Sequence, residues 1–302
     1  MNRMFLKGCV FLFLTLVSRL AYAQEIEKKP ELEAYLANRD KFEEYACAMF
    51  VEHVSDHPDP DKCIFRDDWY IHCVNVKEKN QRFEQLPMFH SKYPGVTIRG
   101  SQLLISNGKT RSSGHGAYKL PEFVDSSDVK ENDENKVESC NPFQIPFFNT
   151  SAFAPRSLYY LRSDGLKPVF TRFQKTDEEE IPYGLFAKYK VTPQADVFSE
   201  VLFDDRNGGM PIRIITKDPP RNAKRMDINW FETEKGWLPV KANFKMTFGD
   251  PLKPARTDHF EVTYYWMLNL PKKVWESNYR GKEGLTPKAL RDLITANAIQ
   301  TK

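Results

Sequence analysis

Two hydrophobic periodicities divide this chain of 302 residues. Between Pro30 and Tyr45 the apolar residues recur at a spacing of three to four, which predicts an amphipathic helix. They are Leu32, Tyr35, Leu36 and Phe42. After Tyr45 the spacing changes to two, which is the period of a strand with one buried face.

Three strands are predicted in the first half of the chain. They span Tyr45 to Val54, Trp69 to Lys77 and Thr97 to Ile105. The third runs into Asn107-Gly108, a pair that supplies the positive φ angles of a type I′ turn. A β-hairpin is therefore expected at this point.

The second half reads as an antiparallel meander of seven strands. Its clearest members are Leu238 to Phe248 and His259 to Trp266, in which apolar and polar residues alternate throughout. The other five segments are Val169 to Phe173, Tyr183 to Lys190, Val197 to Phe203, Pro211 to Thr216 and Met226 to Phe231.

These segments predict a mainly β fold, a strongly curved antiparallel sheet or an incomplete β-barrel. Thr286-Pro287 has the residue types of an N-cap and a first helical position, so a second helix is expected there. With one helix near each end of the chain, we expect both helices to cover the concave face of the sheet.

A single β domain is predicted over residues 24–302, with an acidic insertion, an aromatic segment and a helical tail. Residues 118–140 are acidic and poor in apolar side chains, which is typical of a solvated loop. The aromatic segment 141–148 contains two prolines, which exclude a central strand, and we expect it to lie across an opening of the core or to plug it. Residues 269–302 form a helical tail.

The net charge of +3 comes from the first 23 residues. They contain Arg3, Lys7 and Arg19 and no acidic residue, and the rest of the chain is left with 41 basic and 41 acidic residues. A basic start, a short apolar core and Ala21-Tyr22-Ala23 predict a secretory signal cleaved at about Ala23. The mature chain is then exported, periplasmic or secreted, and soluble. Its neutral charge argues against a nucleic-acid partner.

Four cysteines follow the leader, and an exported chain with an even number of cysteines is expected to form disulfides. Four cysteines allow three pairings. The short separation of Cys63 and Cys73 favours a bond between them, which leaves Cys47 with Cys140. A metal site built from four thiolates lacks the necessary C-x-x-C spacing.

No catalytic or metal-binding constellation is predicted. His53 and His57 have a ligand spacing, but Pro58 and Pro60 exclude a continuing helix, so a solvated loop is expected there. The region of Ser112 and His115 lacks the G-x-S-x-G nucleophile turn. The sequence therefore predicts no enzyme and no cofactor.

Aromatic residues are abundant, with 22 Phe, 13 Tyr and 5 Trp. Either they fill an ordinary core, or part of the apolar face stays unfilled and holds an apolar ligand. The sequence leaves both interpretations open.

The order of features resembles the LolA/LolB-like superfamily of exported lipoprotein carriers and sorting proteins. The resemblance depends on the leading helix, on residues 102–109 with their Asn-Gly-Lys turn, on residues 201–212, and on residues 228–241 with a G-x-x-P before the next strand. It implies an incomplete barrel around an apolar cavity that binds an acyl chain or a lipoprotein.

The cavity-lining candidates are residues of the last two strands, with three phenylalanines near the opening. They are Phe244, Met246, Phe248, Phe260, Val262, Tyr264 and Trp266, with Phe147, Phe148 and Phe153. The alternative is a structural or protein-interaction module of the cell envelope with a filled core, whose partner is another envelope protein.

Overall fold

The computed structural model describes the backbone of residues 30–56, 64–88, 99–106, 109–119, 122–123, 173–181, 184–194, 197–218, 222–250, 253–276 and 283–299. The described part is mainly β, with two α-helices. The helices are α1 (Pro30–Asp40) and α2 (Pro287–Ala296). The strands are β1 (Glu44–Asp56), β2 (Ile64–Asn75), β3 (Asn80–Met88), β4 (Arg99–Ser106), β5 (Lys109–Lys119), β6 (Glu122–Phe123), β7 (Phe173–Ile181), β8 (Gly184–Gln194), β9 (Val197–Asp204), β10 (Met210–Asp218), β11 (Asn222–Glu232), β12 (Trp237–Asp250) and β13 (Lys253–Met267).

All thirteen strands belong to one hydrogen-bonded sheet, in the order β6-β5-β4-β3-β2-β1-β13-β12-β11-β10-β9-β8-β7. Each half of the chain is a meander of neighbours, and the two halves join where β1 pairs antiparallel with β13. The described strands β6 and β7 stand at the two ends of this order, so the sheet is not closed. The predicted mainly antiparallel, incomplete barrel is confirmed.

Alternation along the central strands gives the sheet two different faces. We call the side of Tyr45, Cys47 and Met49 the front face, and Trp266 and Tyr264 of β13 stand opposite Cys47 and Met49 on it. The other side is the back face. It carries Ala46, Ala48, Ile71, Cys73 and Met267.

The two helices lie on opposite faces, which corrects the prediction that both cover one face. Helix α1 packs Leu32, Tyr35 and Leu36 into the front core. Helix α2 packs Leu290 and Ile294 into the back core. The physical reason is that Ala46 and Ala48 have small side chains, which leave room for a helix behind the sheet.

One end of each helix is held by side-chain hydrogen bonds. Thr286 caps α2 as predicted, because its hydroxyl accepts a hydrogen bond from the Ala289 N–H at 3.0 Å. At the end of α1, the Asn38 amide donates to the Trp237 carbonyl at 2.8 Å, and its oxygen accepts from the Trp237 N–H at 2.7 Å. Gly236 permits this approach, since a Cβ there would lie 2.6 Å from Asn38 Oδ1.

Some strand predictions were right and others were wrong. The hairpin is confirmed, because Ser106 pairs with Lys109 across β4 and β5. Strand β3 was missed, and β7 begins only at Phe173, where the predicted strand ends. In β3 the alternation is hidden by Arg82 and Glu84, two charged residues that are buried on the back face.

The predicted disulfides are not confirmed. Cys73 is a buried thiol on the back face, and burial raises its pKa to about 12. Cys47 is buried on the front face, so the sheet separates these two side chains. Cys63 and Cys140 lie outside the described residues.

Other predictions also fall outside the described part of the chain. They concern the leader, most of the acidic segment, and Phe147, Phe148 and Phe153. Among the residues that are described, no helix is long and apolar enough to cross a bilayer.

Candidate functional site

The front face of β12 and β13 changes from filled to partly open along its length. Val262, Tyr264 and Trp266 are 0%, 6% and 2% exposed, and Phe244 is 5% exposed. Further along the same face Phe260 and Met246 are only half-buried, although they pack against the same core. Phe248 is half-buried as well. We call the surface of Phe248, Met246 and Phe260 the open end.

The filled part is an ordinary core beneath α1. The Trp266 indole donates a hydrogen bond to the Pro239 carbonyl at 2.6 Å, and its ring packs against Tyr45 with centroids 5.4 Å apart. Tyr35 of α1 meets Trp230 edge-on at 6.2 Å. Trp266, Tyr264 and Val262 were predicted to line a cavity, and the structure places them in packed core.

A buried histidine belongs to this filled part. His72 accepts a hydrogen bond from the Gln81 amide at its Nε2, at 2.8 Å, so its Nδ1 carries the proton and faces the Tyr45 hydroxyl at 3.5 Å. Burial lowers the pKa of His72 to about 3. The imidazole is therefore neutral near pH 7, and its role is structural.

Aromatic rings form the floor of the open end. Phe260 stands opposite Phe244 in the β12–β13 register, with ring centroids 5.5 Å apart. On its other side the imidazole of His53 stacks on Phe260 at 4.1 Å, with the planes 11° apart. The Arg256 guanidinium lies 4.3 Å from the centre of the Phe248 ring.

Four polar residues border the open end, and we call them the polar corner: His53, Ser55, Arg256 and Asp258. Ser55 stands opposite Asp258 across β1 and β13. Arg256 donates to Asp258 from Nη2 at 3.1 Å, and its Nε lies 3.0 Å from the other carboxylate oxygen. His53 Nε2 lies 3.7 Å from Asp258 Oδ2. The polar corner therefore forms around the Asp258 carboxylate.

Exposure differs sharply within the polar corner. The Asp258 side chain is 4% exposed and that of Arg256 is 36% exposed. Ser55 is fully buried, and its hydroxyl makes no hydrogen bond within the described part of the chain. On β2 the positions of Arg66 and Asp68 fall on the same face, opposite His53 and Val51. Arg256 is therefore the most exposed of the four side chains of the polar corner, since that of His53 is 17% exposed.

Ser55, His53 and Asp258 have the residue types of a catalytic triad but not its geometry. A nucleophilic serine needs a hydrogen bond to its histidine, and Ser55 Oγ has none among the described residues. Nor do the described residues contain a group of three His, Cys, Asp or Glu side chains able to hold a metal ion. The polar corner is suited to binding a polar group beside an apolar surface.

The polar corner was missed in the sequence for two reasons. His53 lies within the predicted strand Tyr45 to Val54, but its spacing to His57 led to the expectation of a solvated loop, which is wrong: His53 belongs to β1 and stacks on Phe260. The other three residues lie beyond the predicted strand ends, because β1 continues two residues past Val54 and β13 begins six residues before His259. Extending the alternation of Met49 and Val51 would have placed His53 and Ser55 on the front face.

The back face behind the open end has a groove of different character, with a volume of about 490 Å³. Ion pairs lie in it or beside it. Lys241 contacts Glu261, while Arg213 and Arg225 bind Asp227 at 2.6 and 2.7 Å. Its lining residues are Glu52, Val54, Arg225, Asp227, Asn243, Phe244, Lys245, His259, Phe260 and Glu261. Most of these residues are polar or charged, and an acyl chain does not favour such a surface.

No protein-family model and no curated protein matches the sequence. Among solved structures, the chain is similar to a DUF1329 family protein from Desulfovibrio piger, with 8% identity, a TM-score of 0.45, and coverage of 82% of this chain and 96% of that one. An outer membrane lipoprotein-sorting protein domain from Vibrio parahaemolyticus has 11% identity, a TM-score of 0.44, and coverage of 81% and 95%.

A LolA superfamily protein from Nitrosomonas europaea has 11% identity and a TM-score of 0.39, with coverage of 82% of this chain and 98% of that one. The identities and TM-scores of all three describe a distant likeness.

Proposed function

We propose that the protein is an exported carrier or sensor that binds the acyl chain of a lipid or lipoprotein at the open end of its front face. The observation that carries this proposal is the half-buried surface of Phe248, Met246 and Phe260, which continues directly from a packed core. Soluble proteins bury such surface where they can, and a connected apolar patch beside a core is typical of a binding site.

The free energy available at this surface is sufficient for binding. Each methylene group that leaves water contributes about 0.8 kcal/mol. The rings of Phe244 and Phe260 stabilise one wall, and the filled core beneath α1 limits how far a chain can enter. A bound chain would lie with one end against this core and the other near the polar corner.

The alternative function, an interaction module with a filled interior, requires a front face packed along its whole length. Packing of this kind occurs where Trp266 and Tyr264 lie beneath α1. It does not extend to Met246 and Phe248, which remain half-buried. The incomplete packing of the front face favours ligand binding over an interaction module with a filled interior.

Export is a separate part of the proposal and has its own test. The leader with Ala21-Tyr22-Ala23 is expected to be removed in a secreting host. N-terminal sequencing of the protein recovered from the periplasm or medium should start at Gln24. An uncleaved N-terminus in the cytosolic fraction would contradict export.

Binding is tested by titrating the full mature protein with a fluorescent fatty acid and by mass spectrometry of copurified lipids. Met246→Glu places a carboxylate on the open end, and Thr247→Glu places the same group one residue away on the opposite face. Met246→Glu should weaken binding about tenfold or more, since a charge on an apolar contact surface must be desolvated. Thr247→Glu should bind like the wild type. Equal effects of both variants, or no lipid bound to the wild type, would overturn the proposal.

A further inference from the structure

We propose that the polar corner selects acyl ligands with an anionic headgroup, which Arg256 binds. This inference rests on the proposed function and names the ligand class of the same site. It starts from the placement of four polar side chains, with an ion pair at their centre, at the border of an apolar surface.

The Arg256 guanidinium can bind a second anionic group in addition to Asp258. A guanidinium carries five N–H donors in a planar arrangement. Within the described residues its Nη2 donates a hydrogen bond to Asp258, and its Nε lies 3.0 Å from the other oxygen of that carboxylate without forming a hydrogen bond. The remaining donors can bind a carboxylate or a phosphate without displacing Asp258.

The position of Arg256 suits the end of an acyl chain. Its guanidinium lies over the Phe248 ring, so a headgroup bound there would have its chain against Phe248 and Met246. Arg256 is the more exposed member of its ion pair, whereas Asp258 is almost fully buried. The approaching headgroup therefore meets the positive member of the pair.

Ser55 adds a neutral polar group behind the ion pair. Its hydroxyl is buried and makes no hydrogen bond within the described residues, which is unusual in folded proteins. A buried hydroxyl without a partner is satisfied when a ligand oxygen or an ordered water reaches it. Because Ser55 stands opposite Asp258, a polar headgroup that enters beside the ion pair comes close to this hydroxyl.

The test compares ligands that share one chain length and differ in headgroup. Laurate supplies a carboxylate, dodecyl phosphate supplies a phosphate, and monolaurin supplies a neutral headgroup. Calorimetric titration of the full mature protein should give affinities for the two anions about tenfold or more above that for monolaurin, because a hydrogen bond to a charged group is strong where water is excluded. The tighter of the two anions identifies the headgroup.

Two variants at the polar corner should act in opposite directions. Arg256→Gln should bring the affinities for laurate and dodecyl phosphate down to that for monolaurin, which itself should change less than twofold. Asp258→Asn should bind both anions several-fold more tightly than the wild type, since the competing carboxylate is gone. If Arg256→Gln fails to fold, Asp258→Asn still tests the proposal because it retains the guanidinium.

Arg225→Gln is the matched control. Arg225 also forms an ion pair with an aspartate two residues away on its own strand, but on the back face. This variant should keep all three affinities. Equal affinities of the wild type for the three ligands, or weaker anion binding by Asp258→Asn, would overturn headgroup selection while leaving acyl binding in place. Failure of all three ligands to bind would overturn the proposed function as well.

Discussion

The imidazole of His53 lies flat against the phenyl ring of Phe260, with ring centroids 4.1 Å apart. The two residues come from the first and last described strands along the chain, and they face each other across the β1–β13 pairing. This contact is the border between the apolar open end and the polar corner. It therefore joins the two parts of the candidate site.

Replacing Phe260 tests the apolar part of the site. Phe260→Ala should weaken acyl binding about tenfold and cost about 2 kcal/mol of stability, below the range for a fully buried ring because Phe260 is half-buried. Phe50→Ala is the matched control, since Phe50 is a half-buried ring on the back face of β1 that packs against Trp69 at 5.0 Å. We expect a similar loss of stability and unchanged binding. Fluorescent fatty-acid titration and urea unfolding measure the two effects, and equal binding losses would contradict the assignment.

A second prediction concerns Arg82, which is fully buried on the back face and pairs with Glu84 at 2.8 Å. Arg82→Met removes the guanidinium that pairs with the buried Glu84 carboxylate, so the free energy of unfolding should fall by about 3–5 kcal/mol. The double variant with Glu84→Met removes both charges and should recover part of this loss, since the hydrogen bonds from Arg82 to backbone carbonyls stay lost. Urea unfolding measures both, and a double variant no more stable than the single one would contradict the pairing.

Arg82 also holds the C-terminal segment. Its guanidinium donates to the carbonyls of Val274, Glu276 and Leu285 at 2.9, 3.1 and 2.7 Å. Hydrogen exchange of helix α2 should therefore be faster in the double variant than in the wild type, even though part of the global stability returns. Slow exchange like that of the wild type would show that the helix does not depend on this residue.

His72 should make the stability of the protein depend on pH. Its pKa is about 3 in the folded protein, whereas an exposed imidazole has a pKa of 6.5, because burial disfavours the charged form. Between these values the unfolded chain binds a proton that the folded protein does not, so stability falls as the pH is lowered across this window. The slope from this group approaches about 1.4 kcal/mol per pH unit.

His72→Gln removes the titrating group and keeps a hydrogen-bonding side chain. Unfolding free energies from urea titrations should therefore fall less steeply from pH 6.5 to pH 3 in this variant than in the wild type. The carboxylates are common to both proteins, so their contribution cancels in the difference. Parallel pH profiles would contradict the burial of a neutral imidazole.

Asn38 should contribute to the attachment of helix α1 to the sheet. Asn38→Ala removes two hydrogen bonds to the Trp237 backbone, one at 2.8 Å and one at 2.7 Å. We expect a loss of about 2 kcal/mol in thermal or urea unfolding, since each such bond contributes about 1 kcal/mol. Asn297→Ala is the control, because that exposed side chain makes one local bond to Leu293. A larger loss for the control would contradict the role of Asn38 in holding the helix.

The parts of the fold that could be predicted depend on residues that are close together in the sequence. Over most of β12 and β13 apolar and polar residues alternate because the front face is core and the back face is wet, and only the end of β13 at Tyr265 and Met267 packs beneath α2. This alternation is visible in the sequence without knowledge of the partner strand. The cap at Thr286 was predictable for the same reason, since it depends on residues within one turn.

Strand β3 was not predictable in this way. Arg82 reads as a surface residue, but it is buried because its partners at Val274, Glu276 and Leu285 lie about 200 residues away along the chain. The polar corner has a similar origin. His53 and Asp258 are polar residues at the ends of their strands, and only the pairing of the first strand with the last brings them together.

Photo-crosslinking can locate an acyl chain bound at the open end of the front face. A fatty acid with a diazirine in its chain would be bound to the full mature protein, irradiated, and located by peptide mass spectrometry. We expect adducts at Phe248, Met246 and Phe260, which share one surface. Adducts confined to the back-facing residues Thr247 and Glu261 would contradict it, as would labelling without any preference between the two faces.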